Sequence, residues 1–104
     1  MSGRIDAATL LERALLKDAA RAGLTVTVNA ATSRRWASAT FVGARHLLRL
    51  EGTAESASVE WLAQLADADL PLRGHLVADL IVVDQARSPA GFTATIEALT
   101  VEDA

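Results

Sequence analysis

Residues 24–30, LTVTVNA, alternate apolar and polar side chains without a break, and this alternation constrains the fold more than any other stretch. Successive side chains of an extended strand point to opposite faces. Leu24, Val26, Val28 and Ala30 therefore share one face, and Thr25, Thr27 and Asn29 the other. A strand patterned this way buries one side only. It needs neighbouring strands to pair its backbone and a second layer to cover its apolar face.

The covering layer is legible on both sides of it. In residues 6–22, Ala8, Leu11, Leu15, Ala19 and Ala22 recur at helical spacing, and Leu10 and Ala14 widen the stripe. Asp6 stands where a carboxylate caps the first turn, and Gly23 where a left-handed residue ends the helix. A second helix is expected over residues 56–69, with Val59, Leu62, Ala63, Ala66 and Leu70 as its stripe and Pro71 as its stop. Trp61 falls off that stripe with Leu65, at a position from which a Trp would anchor a partner.

Residues 34–50, RRWASATFVGARHLLRL, are expected to return from a turn near residues 32–34 as one long strand. Ala37, Ala39 and Phe41 share a face, and after Gly43 the apolar phase passes to His46, Leu48 and Leu50. A period-two pattern changes phase inside a strand only when one residue is added, so a bulge is expected at Gly43–Ala44. Strands at about residues 75–84 (HLVADLIVVD) and 92–102 (FTATIEALTVE) complete the sheet.

The resulting order, α-β-β-α-β-β, is a circular permutation of the ferredoxin-like arrangement. A right-handed crossover through the second helix leaves room for the fourth strand, giving the strand order 3-4-2-1 with both helices on one face. The expected architecture is thus an α+β two-layer sandwich around a four-stranded antiparallel sheet, one domain over residues 1–104. A chain of 104 residues buries roughly two-thirds of its unfolded surface, enough for one core. Of its 53 hydrophobic residues 22 are Ala, which bring little area, so the core is expected to be thin.

Composition then excludes classes of function. The net charge is −3, the wrong sign for a nucleic-acid partner, and the only basic density is Arg34, Arg35, Arg45 and Arg49. The chain has no cysteine, which removes disulfides, thiolate zinc sites and cysteine nucleophiles together. Its glycines stand singly, without a phosphate loop, and GxSxG is absent. The first residues lack the unbroken apolar region of a signal peptide, and no run reaches the ~18 apolar residues of a membrane span. A cytoplasmic protein without cofactor or metal is the expectation. His46 is expected to point inward as a core or dimer-edge histidine. His75 and Asp79 are expected on one face but roughly 13 Å apart, too far for a dyad.

The face of the sheet away from the helices carries the functional expectation. It is expected to present Trp36, Val42, Val77, Asp79, Ile81, Val83 and Glu97, joined beyond the bulge by Arg45, Leu47 and Arg49. Contiguous apolar area of that kind marks an interface. The leading reading is a non-enzymatic interaction module, a homodimer built through Val42, Val77, Ile81 and Val83, with Trp61 as a further anchor. The alternative is a small-molecule binder or enzyme using Asp79 and Glu97 beside Trp36, Arg45 and Arg49. If paired numbers in the last hairpin sum to 176, the two carboxylates stand about 5 Å apart and one is protonated more readily. A sum of 174 would set Thr95 across from Asp79. In either register Arg45 and Arg49 are expected to neutralise the acids as ion pairs. A third reading is a ring-forming assembly subunit, since the element order is similar to that of small phage tail-assembly subunits, which assemble through their sheets.

Overall fold

The computed structural model describes residues 6–53 and 56–103. Helix α1 (Ala7–Arg21) opens on Asp6, whose carboxylate accepts a hydrogen bond from the Thr9 backbone N–H at 2.8 Å. Gly23, at φ +83°, turns the chain out of the helix, and Leu24 N–H bonds back to the Ala19 carbonyl at 2.9 Å. Strands β1 (Val26–Ala37) and β2 (Val42–Gly52) form the first hairpin. Helix α2 (Ser56–Gln64) runs on into a 3-10 turn at Leu65–Asp67. Strands β3 (His75–Ser88) and β4 (Gly91–Glu102) form the second hairpin. The sheet is antiparallel throughout, in the order β1-β2-β4-β3, as the crossover rule requires.

Even-numbered residues of the two central strands define the core. His46, Leu48 and Leu50 of β2 stand beside Ala98, Ile96 and Ala94 of β4, and all six are buried. Leu11, Leu15 and Ala19 of α1 and Trp61, Leu62 and Leu65 beyond them pack onto this same side. Trp61 Nε1–H donates to the Asp18 carboxylate at 2.9 Å, tying the second helix to the first. One core therefore lies on one face of the sheet.

Four local expectations are corrected. The first hairpin turns at residues 38–41, not near residue 33. Ser38 N–H donates to the Phe41 carbonyl at 2.7 Å, while the Ser38 hydroxyl accepts from Phe41 N–H at 3.0 Å and Thr40 N–H at 3.3 Å. A two-residue hairpin needs positive φ at Gly or Asn. Thr32, Ser33 and Arg34 offer neither, so they continue β1 in register with Leu47, His46 and Arg45. The phase change across residues 37–46 is this turn, and no bulge interrupts the pairing of β2 with β4 at Gly43–Ala44.

Bulges occur instead on the two edge strands, between Val28 and Ala30 in β1 and at Val77/Asp79 and Val82/Asp84 in β3. There the extra residue costs one partner rather than two and twists the edge away from further pairing. The second hairpin is longer than expected, with β3 reaching Ser88 opposite Gly91.

Leu62 and Leu70 of the expected second stripe are buried, but the buried face of helix α2 is turned from Val59, Ala63 and Ala66 toward Trp61 and Leu65. Ser58, Trp61, Leu62 and Leu65 face the core, whereas Val59 is 50% exposed and Ala63 and Ala66 face solvent. The two stripes share Leu62, and the one that adds Trp61 and Leu65 buries more area than the one that adds Val59, Ala63 and Ala66. Leu65→Ala should accordingly destabilise the fold by about 2–5 kcal/mol, while Val59→Ala should stay within about 0.5 kcal/mol of the parent. Urea denaturation of the two variants checks the helix phase, since the opposite ranking belongs to a helix turned to bury Val59 in place of Leu65.

Candidate functional site

The pairing registers sort every paired strand residue onto one of two faces. Thr32, Arg34 and Trp36 of β1 share the outer face with Arg45, Leu47 and Arg49 of β2. Beside them stand Thr95, Glu97, Leu99 and Val101 of β4, then Leu76, Asp79, Ile81 and Asp84 of β3. Both helices lie on the other side, so among the described residues this face is bare. It carries large apolar side chains in the open: Leu76 is 57% exposed, Leu47 46% and Ile81 43%.

Its charge is divided. Arg34 and Arg45 are directly opposite one another across β1 and β2, with Arg49 four residues along β2. Asp79 and Asp84 lie on β3 and Glu97 on β4. Like charges opposite one another on adjacent strands repel. Among the described residues neither Arg45 nor Arg49 forms an ion pair with Asp79 or Glu97, so the expected neutralisation does not occur.

Asp79 and Glu97 share this face but are not opposite one another. The hairpin closes at Ser88 and Gly91 and a bulge at Val83 follows, so that Asp79 meets Leu99 and Glu97 meets Ile81, and neither expected pairing sum is realised. A second bulge at Ala78 sends His75 and Asp79 to opposite faces. Val77, paired with Thr100, and Val42, paired with Ala37, lie on the helix side rather than the open side. Val83 sits at a bulge and is 46% exposed. Trp36 is half-buried against Gly43, where a Cβ would collide with the indole and with the Thr100 carbonyl. Trp61 is 6% exposed and belongs to the core.

A second constellation lies on the helix side, at the end of the sheet beneath the start of α1. There a cleft of about 550 Å³ is lined by Asp6, Ala7 and Ala8 of the helix end, Ser33 and Arg35 of β1, Ala44 and His46 of β2, His75 of β3, and Thr100 and Glu102 of β4. His46 is 2% exposed and fully engaged: Nδ1 lies 2.7 Å from the Ser33 hydroxyl and Nε2 lies 2.8 Å from the Thr100 hydroxyl. Thr100 donates its own proton to the Ala44 carbonyl at 3.5 Å. The tautomer with its proton on Nε2 lets Thr100 accept from the ring and leaves Nδ1 to accept from Ser33. Arg35 reaches Glu102 at 3.8 Å, and His75 Nδ1 is buried with no partner among the described residues.

Sequence reading placed His46 inward but missed Ser33 and Thr100. Ser33 is opposite His46 only when β1 runs through residues 32–37, so the misplaced turn hid the pair. Comparison with protein-family models, curated proteins and solved structures returns no match for this chain.

Burial holds the His46 pKa below the ordinary 6.5. The Asp6 charge opposes that shift and the His75 charge adds to it. Hydrogen bonds from Thr9 in turn hold the Asp6 carboxyl below its ordinary value. The unfolded chain takes up a proton at His46 below about pH 6.5, while the folded chain resists it. Stability should therefore be complete with respect to His46 above pH 6.5 and fall as pH drops below that value, levelling off once the folded state is protonated too. Denaturation at stepped pH, read beside the imidazole NMR titration of His46, measures both. A His46 midpoint at or above 6.5 contradicts the assignment.

Proposed function

We propose that the protein is a self-associating interaction module, a homodimer joined through the bare face of its sheet. The divided charge of that face carries the reading. Arg34, Arg45 and Arg49 outnumber Glu51 on the β1–β2 half, while Asp79, Asp84 and Glu97 occupy the β4–β3 half. A two-fold axis parallel to the strands, passing between β2 and β4, lays the basic half of one copy over the acidic half of the other. The repulsion between Arg34 and Arg45 is then answered by carboxylates of the second copy. Leu47, Ile81, Leu99 and Val101 lie between these charges and supply the apolar contact.

The dimensions support the reading. Four strands about 4.8 Å apart and ten residues about 33 Å long make a face on the order of 600 Å². A stable interface buries about 800 Å² of accessible surface on each partner, the same scale. Closed two-fold pairing is also the commonest form of self-association. A ring is less well supported, because the charge division is satisfied by one copy.

Sedimentation equilibrium at micromolar concentration should give twice the chain mass of 10.9 kDa for the parent and the single chain mass for Ile81→Lys. Charge reversal separates this interface from a merely sticky surface. Chains carrying Arg45→Glu with Arg49→Glu, and chains carrying Asp79→Lys with Asp84→Lys, should each be monomers alone and form a one-to-one heterodimer when mixed. A parent that sediments as a monomer rejects the module. A mass larger than two chains favours the ring, and double variants that dimerise alone reject the two-fold arrangement.

A further inference from the structure

We propose that the cleft beneath the start of α1 is a serine acyl-transfer site, in which Ser33 is the nucleophile, His46 its base and Thr100 the group that positions the base. The three side chains come from three adjacent strands and form one chain of hydrogen bonds, Ser33 to His46 to Thr100 to the Ala44 carbonyl, at 2.7, 2.8 and 3.5 Å. A nucleophile within reach of a base that a third group holds in place is the geometry that activates a hydroxyl. Exposure is divided in the same sense. Ser33 is open to solvent at the cleft, and His46 lies buried behind it. The site lies on the helix side of the sheet, so it stands or falls independently of self-association.

The substrate class follows from the walls. Ala7, Ala8, Gly43 and Ala44 are small and leave room beside Ser33, which suits a short-chain carboxylic ester. Arg35 follows Ser33 by two residues on the same face of β1, lines the cleft, and has a side chain 76% exposed in its loose contact with Glu102. Its guanidinium is placed to meet negative charge on the carbonyl oxygen.

The chemistry balances with water as the only co-reactant. Ser33 Oγ bonds to the ester carbonyl carbon as its proton passes to His46 Nδ1, and the C=O electron pair moves onto oxygen. Collapse of that adduct breaks the bond to the alkoxide, which leaves with the proton from Nδ1, and the acyl group stays on Ser33. Water then attacks the acyl carbon, giving its proton to Nδ1. The carboxylic acid departs as Ser33 recovers the proton. One ester and one water become one acid and one alcohol. His46 Nε2–H donates to Thr100 throughout, so the ring keeps the orientation its base role requires. Because burial disfavours the imidazolium, His46 is neutral and able to accept a proton at pH 7.

The full chain should release p-nitrophenol from p-nitrophenyl acetate in a burst that leaves an acetyl group on Ser33, located by peptide mass mapping. Ser33→Ala removes the hydroxyl and its hydrogen bond to Nδ1 but keeps the imidazole and its bond to Thr100. It should abolish the burst and lower the steady rate roughly 100-fold or more. The rate should follow deprotonation of a group with a midpoint below 6.5. Thr100→Val should lower kcat with little change in KM, and Thr100→Ser should restore it, which a purely structural role would not predict. A fluorophosphonate probe that labels Ser33 in the parent and not in His46→Gln supports the site by a second route. Acetyl groups found only on other residues, or Ser33→Ala turning over at the parent rate while its circular dichroism is unchanged, would overturn it.

Discussion

The structure depends on burial confined to one side of the central strand pair. Leu48 and Leu50 of β2 and Phe92, Ala94, Ile96 and Ala98 of β4 are buried under the helices, while Leu47, Arg49, Glu97 and Leu99 alternate with them on the outside. A slip of one residue between these strands would invert both faces at once, so the hydrophobic pattern pins the register. Everything else follows from that pinning. The helices lie where the buried residues need cover, and the bulges appear on the edge strands. The outer face is left to whatever the surrounding solution offers.

The two candidate sites are consequences of the same register. Pairing Leu47 with Glu97 brings the basic and acidic halves of the outer face into contact along the middle of the sheet. Pairing Ser33 with His46 and placing Thr100 on the far side of His46 builds the hydrogen-bonded chain on the inner face. His46 has no room to leave. It is buried, both ring nitrogens are engaged, and protonating it would remove the acceptor that Ser33 uses. Such a group sets the ring tautomer by its neighbours. The thin Ala-rich layer above it, with Ala7 and Ala8 at the rim, is what leaves the cleft open.

Much of the fold was legible in the residues because periodicity reports burial. The α1 stripe, its Asp6 cap, the Gly23 stop and the strand order all follow from patterns that local physics makes specific. What was not legible depended on competition between similar patterns. Helix α2 offers two stripes of equal spacing, and only the packing of Trp61 against Asp18 and the core decides between them. The first hairpin turns on the Ser38 hydroxyl capping two backbone amides, a side-chain device with no glycine to mark it. The bulges at Ala78 and Val83 add single residues that alternation alone does not reveal, and the one at Ala78 is why His75 and Val77 took the face opposite to Asp79. Ser33 and Thr100 were hidden for the same reason: their meeting at His46 is a fact of register, and register was the part the pattern left open.

The central claim is that the bare outer face meets the same face of a second copy. Isotope-filtered NOE spectroscopy on an equimolar mixture of labelled and unlabelled chain tests it most directly. Cross-peaks between chains from the methyls of Leu47, Ile81 and Leu99, with none from Val59 on the solvent side of α2, are the predicted result. Intermolecular contacts confined to the helix layer, or their absence at concentrations where the sample has twice the chain mass, would contradict it.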